Sequence, residues 1–327
     1  MLELSYDLTI ATVCRNALNV LPRCISSVQP IYQTDLKVEH LLVDGASTDG
    51  SVAYLWCQQQ AGRIARYISE ADSGIYQAMN KAILLARGRV IVFINADDEI
   101  CADAVGMCCA PILEGRADYV VASALCMGGR KKRVLRPRRE MTLWRQPYSH
   151  QAMFCSRELL LRMDGFDAEP FPIGADTDLM RRLYVMNIPC IEVPVIAARF
   201  YMGGVSSTPA AYRDVYELLL KFSDECCASV RFQPEIAGTV LRHLRRYANK
   251  KMMADSAYNL PGREAERLAD FVCRIADSLP WYRRILIVIR VWFYHVWYML
   301  LGICSAGKMR QKARLNTEIC ELFIHHI

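Results

Sequence analysis

Residues Arg89–Glu99 read RVIVFINADDE, and the fold follows from the way this stretch changes character. Val90–Ile94 is a short apolar, β-branched run that follows Gly88 and a helix-patterned segment, the mark of a buried strand. At its carboxyl end the chain turns abruptly polar, through Asn95, Ala96, Asp97, Asp98 and Glu99. Open α/β sheets bind ligands just outside the carboxyl ends of their strands. Carboxylates placed there can hold Mg²⁺ or Mn²⁺ together with substrate phosphates. Asp and Asn also favour turns and helix starts, so a capped loop is the competing reading of the same residues.

Two further segments switch in the same way. Val38–Val43 (VEHLLV) is a second buried strand and ends in Asp44-Gly45-Ala46-Ser47-Thr48-Asp49-Gly50. An acidic side chain at that tip can accept from a nucleobase N–H or a ribose hydroxyl, and Thr48 and Asp49 suit a helix start. The third piece, Ser69-Glu70-Ala71-Asp72-Ser73-Gly74-Ile75-Tyr76, opens a helix with apolar residues at Ile75, Met79, Ala82, Ile83 and Ala86. That spacing is helical, and Gly88 closes it.

Around these anchors, strands are expected at Leu8–Val13, Val38–Val43, Arg66–Ser69, Val90–Ile94, Tyr119–Ser123, Ala152–Cys155 and Cys190–Val195. Helices are expected over Ala17–Val28, Asp49–Gln60, Ser73–Arg87, Asp103–Glu114, Arg157–Met163 and Asp176–Met186. Alternating strands and helices imply an α/β fold, a Rossmann-like and mostly parallel sheet with helices on both faces. No G-x-G-x-x-G follows the first strand and no G-x-x-x-x-G-K-[ST] occurs, which disfavours dinucleotide oxidoreductases and P-loop NTPases.

Beyond about residue 208 the pattern becomes helical, at Tyr212–Cys227, Glu235–Lys250 and Arg263–Ser278, punctuated by Pro209, Pro234, Pro261 and Pro280. The division expected is a catalytic domain over 1–208 and a helical C-terminal region over 209–327. Within it, Ile285–Ile303 (ILIVIRVWFYHVWYMLLGI) is long enough to span a bilayer. Arg290 and His295 oppose that, because a mid-bilayer Arg costs about 3 kcal/mol. With Arg283 and Arg284 before it and Lys308, Arg310, Lys312 and Arg314 after, the 283–303 helix suits an anionic membrane surface. Ile287, Val291 and Leu301 spoil its polar face and keep a buried core helix or a homodimer seam as alternatives.

Hydrophobic residues make up 53% and charged residues 23%, so the whole chain can be globular. The 14 cysteines are scattered without paired C-x-x-C spacing, and the segment from Met1 is unlike a signal peptide. Buried free thiols in a reducing cytoplasm are the reading this favours. The net charge of +6 is concentrated at Arg130, Lys131, Lys132, Arg133, Arg136, Arg138 and Arg139. A solvated hairpin, contact with anionic phospholipid and contact with an acceptor diphosphate all fit that run. No nucleic-acid motif and no interleaved aromatics occur there, so no nucleic acid is expected as partner.

Taken in order, VDGASTDGS, SEADSGIYQAMNKAI and FINADD resemble the nucleotide-sugar half of the family 2 glycosyltransferases. The pattern is similar to the subgroup of capsule, O-antigen and colanic-acid biosynthesis. The resemblance continues through Ser149-His150-Gln151-Ala152-Met153-Phe154, Gly174-Ala175-Asp176-Thr177-Asp178-Leu179 and Met202-Gly203-Gly204-Val205-Ser206. It implies a GT-A fold, a nucleotide-sugar donor (a UDP-sugar first), Mn²⁺ or Mg²⁺ as cofactor, and a lipid-linked saccharide acceptor. It also implies a peripheral place on the inner face of the cytoplasmic membrane in surface polysaccharide biosynthesis.

Carried over residue by residue, the resemblance makes Asp97 the metal ligand, since it matches the last Asp of the family's D-x-D pattern. Asn95 stands where the first Asp usually does, and its amide oxygen can still contact ribose or metal. Asp98 then acts behind the ligand or caps a helix. Thr12, Asp44, Ser47, Asp72, Asn80 and Lys81 complete the implied donor site. Asn80 is expected to orient the Asp44 loop and Lys81 to approach a phosphate, or to be a solvated helix residue. Asp176 matches the catalytic Asp, and a single base acting on the acceptor implies inversion at the anomeric carbon. Asp178 would point away from it and pair with Arg181 or Arg182. His150 and Gln151 are expected near the acceptor, with a structural histidine as the alternative, and Gly203 and Gly204 in a mobile loop. Because Asn95 departs from the family pattern, a non-catalytic nucleotide-sugar-binding or scaffold subunit is the rival expectation.

Overall fold

A computed structural model describes residues 5–128 and 132–203, together with positions 214, 217, 218, 221, 222, 224–226 and 274. Strands β1 (Tyr6–Cys14), β2 (Val38–Asp44), β3 (Arg66–Ser69) and β4 (Gly88–Phe93) form a parallel half-sheet in the order β3-β2-β1-β4. The connections run through α1 (Leu21–Val28), α2 (Ser51–Gln60) and α3 (Ile75–Leu85), as right-handed crossovers between parallel strands require. After a two-residue β5 (Glu99–Ile100) and α4 (Ala102–Leu113), the pattern changes. Strands β6 (Tyr119–Met127), β7 (Arg133–Leu135), β8 (Met153–Ser156) and β9 (Cys190–Tyr201) extend the same sheet, and β8 runs antiparallel to both β4 and β6.

The expected parallel sheet is therefore a mixed one, parallel where the three carboxyl-end motifs lie. Two strands escaped the sequence pattern, β5 and β7. Both are two or three residues long and lie in polar sequence, too short to show a period of two. Helix α1 begins at Leu21 rather than Ala17, with a proline in its first turn, a position where the missing N–H costs nothing.

Apolar residues of β1, β4 and β6 (Leu8, Ile10, Val90, Val92, Val120) share one core with Cys24 and Val28 of α1 and Val105, Cys108 and Cys109 of α4. Ile91 and Phe93 alternate to the other face. There Phe93 meets Phe166 edge-on at 5.3 Å between ring centroids, and Tyr76 of α3 lies 5.3 Å from the same ring. Gly88 starts β4 where β1 comes closest: a Cβ there would stand 2.3 Å from the Thr9 backbone nitrogen. At this amino-terminal end the buried Glu39 carboxylate accepts from Thr9 Oγ1 at 2.6 Å, Arg66 Nε at 2.9 Å and the Arg87 N–H at 2.8 Å. A charge so paired can be buried at little net cost.

Contacts divide the chain into Met1–Ser207 and Thr208–Ile327. In the second unit Arg274 and Asp224 form an ion pair. The expected helix 235–250 and the amphipathic segment 283–303 lie outside the described residues, as do Arg130, Lys131 and Gly204. No helix among the described residues is long and apolar enough to cross a membrane.

Two ties inside the first unit lend themselves to test. Asn80 of α3 clamps the backbone of Phe166, its Nδ2 donating to the Phe166 carbonyl and its Oδ1 accepting the Phe166 N–H, both at 2.8 Å. Asn80→Ala strands both backbone groups, so thermal unfolding should show a loss of about 2–4 kcal/mol. An unchanged melting temperature would mean that the clamp contributes nothing. His40 is fully buried, with Nε2 3.1 Å from Thr12 Oγ1 and Nδ1 without a partner among the described residues. Burial pushes its pKa down from 6.5 to about 3. Between those values the unfolded chain binds the extra proton, so stability falls as pH falls through that window, by up to about 1.4 kcal/mol per pH unit. Urea titrations from pH 7 to 4 should show a shallower acid loss in His40→Gln than in the parent chain.

Candidate active site

Four polar segments converge on the carboxyl ends of the parallel strands: the loops after β2, β3 and β4, and the segment that runs from Gln146 through the 3₁₀ turn His150–Ala152. The first is built around Asp44. Its buried carboxylate accepts the Ser47 N–H at 2.9 Å and the Ser69 hydroxyl at 2.7 Å, and takes the Ser47 hydroxyl as well. Ser47 in turn accepts from the Asn16 N–H at 2.7 Å. Asp44 and Ser47, expected to touch the donor, thus shape the β2–α2 turn in this structure. Asp72 lies over that turn, so close that a Cβ at Gly45 would meet Asp72 Oδ2 at 2.6 Å. Asp72 Oδ1 accepts the Gly74 N–H at 3.1 Å, while Oδ2 takes no hydrogen bond among the described residues.

Three expected donor contacts are placed elsewhere. Thr12 has no solvent exposure, and its hydroxyl meets His40 and, at 3.7 Å, Cys24 Sγ. Strand alternation turns Thr12 into the core instead of toward the strand tips. Asn80 holds Phe166 instead of the Asp44 loop. Lys81 is paired with Glu70 at 2.7 Å instead of standing free for a phosphate.

The loop after β4 carries polar groups with few protein partners. Asn95 Oδ1 is buried without a partner, and the Asp97 carboxylate takes no hydrogen bond among the described residues. The Asp97 carbonyl is held by Arg23 of α1, whose guanidinium stacks 3.7 Å from the centre of the Tyr201 ring. Asp98 is fully buried; its carboxylate accepts Gln151 Nε2 at 2.6 Å and the Tyr201 N–H at 2.8 Å. Burial pushes the Asp98 pKa up to about 6 against the pull of those hydrogen bonds, and the neighbouring Asp97 charge adds to the rise. Gln151, expected near an acceptor, is itself buried and serves Asp98. The Asn95 amide oxygen and the Asp97 carboxylate suit a hard cation such as Mn²⁺ or Mg²⁺. Among the described residues no three His, Cys, Asp or Glu side chains converge, so substrate phosphates and water would complete the shell.

Asp176 begins α6 (Ala175–Val185) and is 8% exposed. Its Oδ1 accepts the Thr177 N–H at 2.6 Å and the Thr177 hydroxyl at 3.3 Å. Its Oδ2 accepts Gln146 Nε2 at 2.9 Å and meets His150 Nδ1 at 3.1 Å. Burial works to raise the carboxyl pKa, but the bond and charge of His150, the Thr177 N–H and the Tyr76 hydroxyl outweigh it and leave a net downward shift. Asp178 points away and is bound by Arg182 Nε at 2.7 Å, as the spacing of four predicts. Gln146 escaped the sequence reading because an irregular turn, with no periodic signal, brings it back to Asp176. Arg23 escaped because only tertiary packing carries α1 to the β4 loop. Met202 and Gly203 form an exposed turn at the end of β9.

Residues 9–167 match the family model described as glycosyl transferase family 2. An uncharacterised glycosyltransferase of Mycobacterium tuberculosis is 28% identical over 209 residues, 61% of this chain and 76% of the relative. A PGL/p-HBAD biosynthesis glycosyltransferase of Mycobacterium bovis is 28% identical over 212 residues, 59% and 76% of the two chains. Among solved structures, S. aureus TarS 1–349 in complex with UDP-GlcNAc superposes with a TM-score of 0.60 at 14% identity, covering 98% of this chain and 92% of that one. At that identity the likeness shows the fold, which is GT-A. With three carboxyl-end loops in place on that sheet, residues 9–167 are similar to the glycosyl transferase family 2 domain.

Proposed function

We propose that this protein moves one sugar, with inversion, from a nucleotide-diphosphate donor to a lipid-linked oligosaccharide acceptor in bacterial surface polysaccharide biosynthesis. A UDP-sugar is the first candidate donor. The observation that carries the reading is the contrast between two sites on one sheet edge. After β4, neither Asn95 Oδ1 nor the Asp97 carboxylate takes a hydrogen bond among the described residues. At Asp176 and His150 a base is fully ordered by hydrogen bonds.

In this reading Asp72 Oδ2 accepts from the nucleoside, over a turn whose shape Asp44 and Ser47 fix. Asp97, with Asn95 beside it, holds the divalent cation, which when bound neutralises the charge that builds on the nucleoside diphosphate. The Asp176–His150 pair takes the proton of the acceptor hydroxyl as its oxygen attacks the anomeric carbon. A base on the side opposite the leaving group gives in-line displacement and inverts the configuration. The lipid-linked acceptor and the inner membrane face draw support from Lys132, Arg133, Arg136 and Arg138, which are exposed in and around β7, and from the basic residues around 283–303.

A thermal-shift screen of nucleotide sugars with and without Mn²⁺ tests the donor, because a ligand that binds only the folded state raises stability. Asp97→Ala should lose the Mn²⁺-dependent part of the shift and keep binding of the free nucleoside. Equal loss of both would remove Asp97 from the metal. Binding without any hydrolysis or transfer would favour a non-catalytic nucleotide-sugar-binding subunit. The membrane reading makes its own demand: the full chain should float with anionic liposomes at low salt and much less at 1 M salt, where screening shortens to about 3 Å. Indifference to anionic lipid would remove the peripheral site.

A further inference from the structure

We propose that Gln146 decides between water and the acceptor at the base. Its side-chain amide fills the place on Asp176 Oδ2 that the acceptor hydroxyl takes, and yields it only to a bound acceptor. The inference rests on the transferase reading above and leaves Asp176 as the base.

Four hydrogen-bond donors stand on the Asp176 carboxylate: the Thr177 N–H and hydroxyl on Oδ1, Gln146 Nε2 and His150 Nδ1 on Oδ2. A carboxylate presents about four lone-pair directions, so an arriving hydroxyl must replace one of these bonds. The Thr177 N–H is fixed in the first turn of α6, and Thr177 is buried. His150 is held in the 3₁₀ turn before β8, with 15% of its side chain exposed. Gln146 is the exposed residue of the three, and rotation of its own side chain carries the amide off Oδ2. With 10% of its side chain exposed, Asp176 has little open surface besides the direction that Gln146 covers.

The turn does not need that side chain for its shape. The Arg145 N–H bonds to the Met141 carbonyl at 3.0 Å and the Arg138 N–H to the Pro147 carbonyl at 2.8 Å, which holds the backbone on both sides of Gln146. An ionised carboxylate only accepts, so the amide presents its N–H to Oδ2. Exchange with an acceptor swaps one N–H donor for one O–H donor, and the carboxylate stays satisfied. The acceptor O–H bond then breaks with its proton passing to Oδ2. Its oxygen forms the bond to the anomeric carbon, and the sugar–phosphate bond breaks with its electron pair on the nucleoside diphosphate. Water could follow the same course at an uncovered Oδ2 and waste the donor. The amide denies it the lone pair.

The test uses the full chain, wild type and Gln146→Ala, with water as the acceptor. UDP release is followed from a UDP-sugar that raises the melting temperature, with Mn²⁺ and no saccharide acceptor present. Above the acid limb Gln146→Ala should release UDP about two- to tenfold faster, the worth of one net hydrogen bond, at an unchanged KM for the donor. Unchanged or slower release would overturn the proposal, because losing a side chain that only orients the base cannot speed hydrolysis. The titratable groups facing Asp176 are His150 from the 3₁₀ turn and Tyr76 from α3, while Asp178 on its own helix is bound by Arg182. Removing one donor from the charged carboxylate raises its pKa, so the acid limb should move to higher pH in the variant. A second measurement needs no donor: the ¹³C titration of the Asp176 carboxyl should also move to higher pH in Gln146→Ala. A titration that stays in place means that the amide is not on Oδ2, and overturns the proposal even if no nucleotide sugar binds. A titration that moves, while neither chain releases UDP from any UDP-sugar, overturns the transferase reading instead.

Discussion

Parallel pairing of β1 with both of its neighbours is the constraint on which the rest of the structure depends. Cys14 stands opposite Asp44, Asp44 opposite Ser69, and the Ile94 N–H bonds to the Ala11 carbonyl as β4 ends. A one-residue slip in any of these ladders would turn core residues outward and carry a loop to the wrong face. Because all three strands point the same way, their polar tips are delivered to one edge, and the Glu39–Arg66 ion pair secures the other. Fold stability and chemistry thus sit at opposite ends of the same strands.

The second half of the first unit adds what parallel strands alone do not provide. Strand β8 runs antiparallel to β4, so the residues just before it, His150 and Gln151, arrive at the carboxyl edge from the opposite direction. One of them supports the β4 loop through Asp98, and the other meets Asp176. Adjacent residues in one 3₁₀ turn therefore hold the β4 loop and the start of α6 separately, through the hydrogen bonds of Gln151 and His150.

The motifs of Asp44 and Asp97 were legible because each ends an apolar strand run, Asp72 because it opens a helix with periodic apolar residues, Asp176 because it matches the family pattern, and Asp178 because four-residue spacing predicts an ion pair on a helix. What each side chain touches was less legible. Asp44 looked like a ligand contact and spends its carboxylate on Ser47 and Ser69; Lys81 looked free and is paired. Thr12 stands on a strand where only the pleat decides which way it faces. Gln146 and Arg23 reach the site through turns and packing that leave no local trace in the sequence. The turn of the basic hairpin and the segment 283–303, on which the membrane reading depends, lie outside the described residues.

The close approach at Gly88 has a consequence for how this sequence can drift. With the Thr9 nitrogen 2.3 Å and the Leu8 carbonyl carbon 2.5 Å from where a Cβ would stand, even alanine must push β1 and β4 apart at their amino ends. The contact is with backbone, so no neighbouring rotamer can make room. Strand β4 would carry that displacement along its length to Asn95 and Asp97, through the ladder and not through any chain of side chains. A position with no chemistry of its own, at the amino ends of the strands, therefore constrains where the acidic loop after β4 stands.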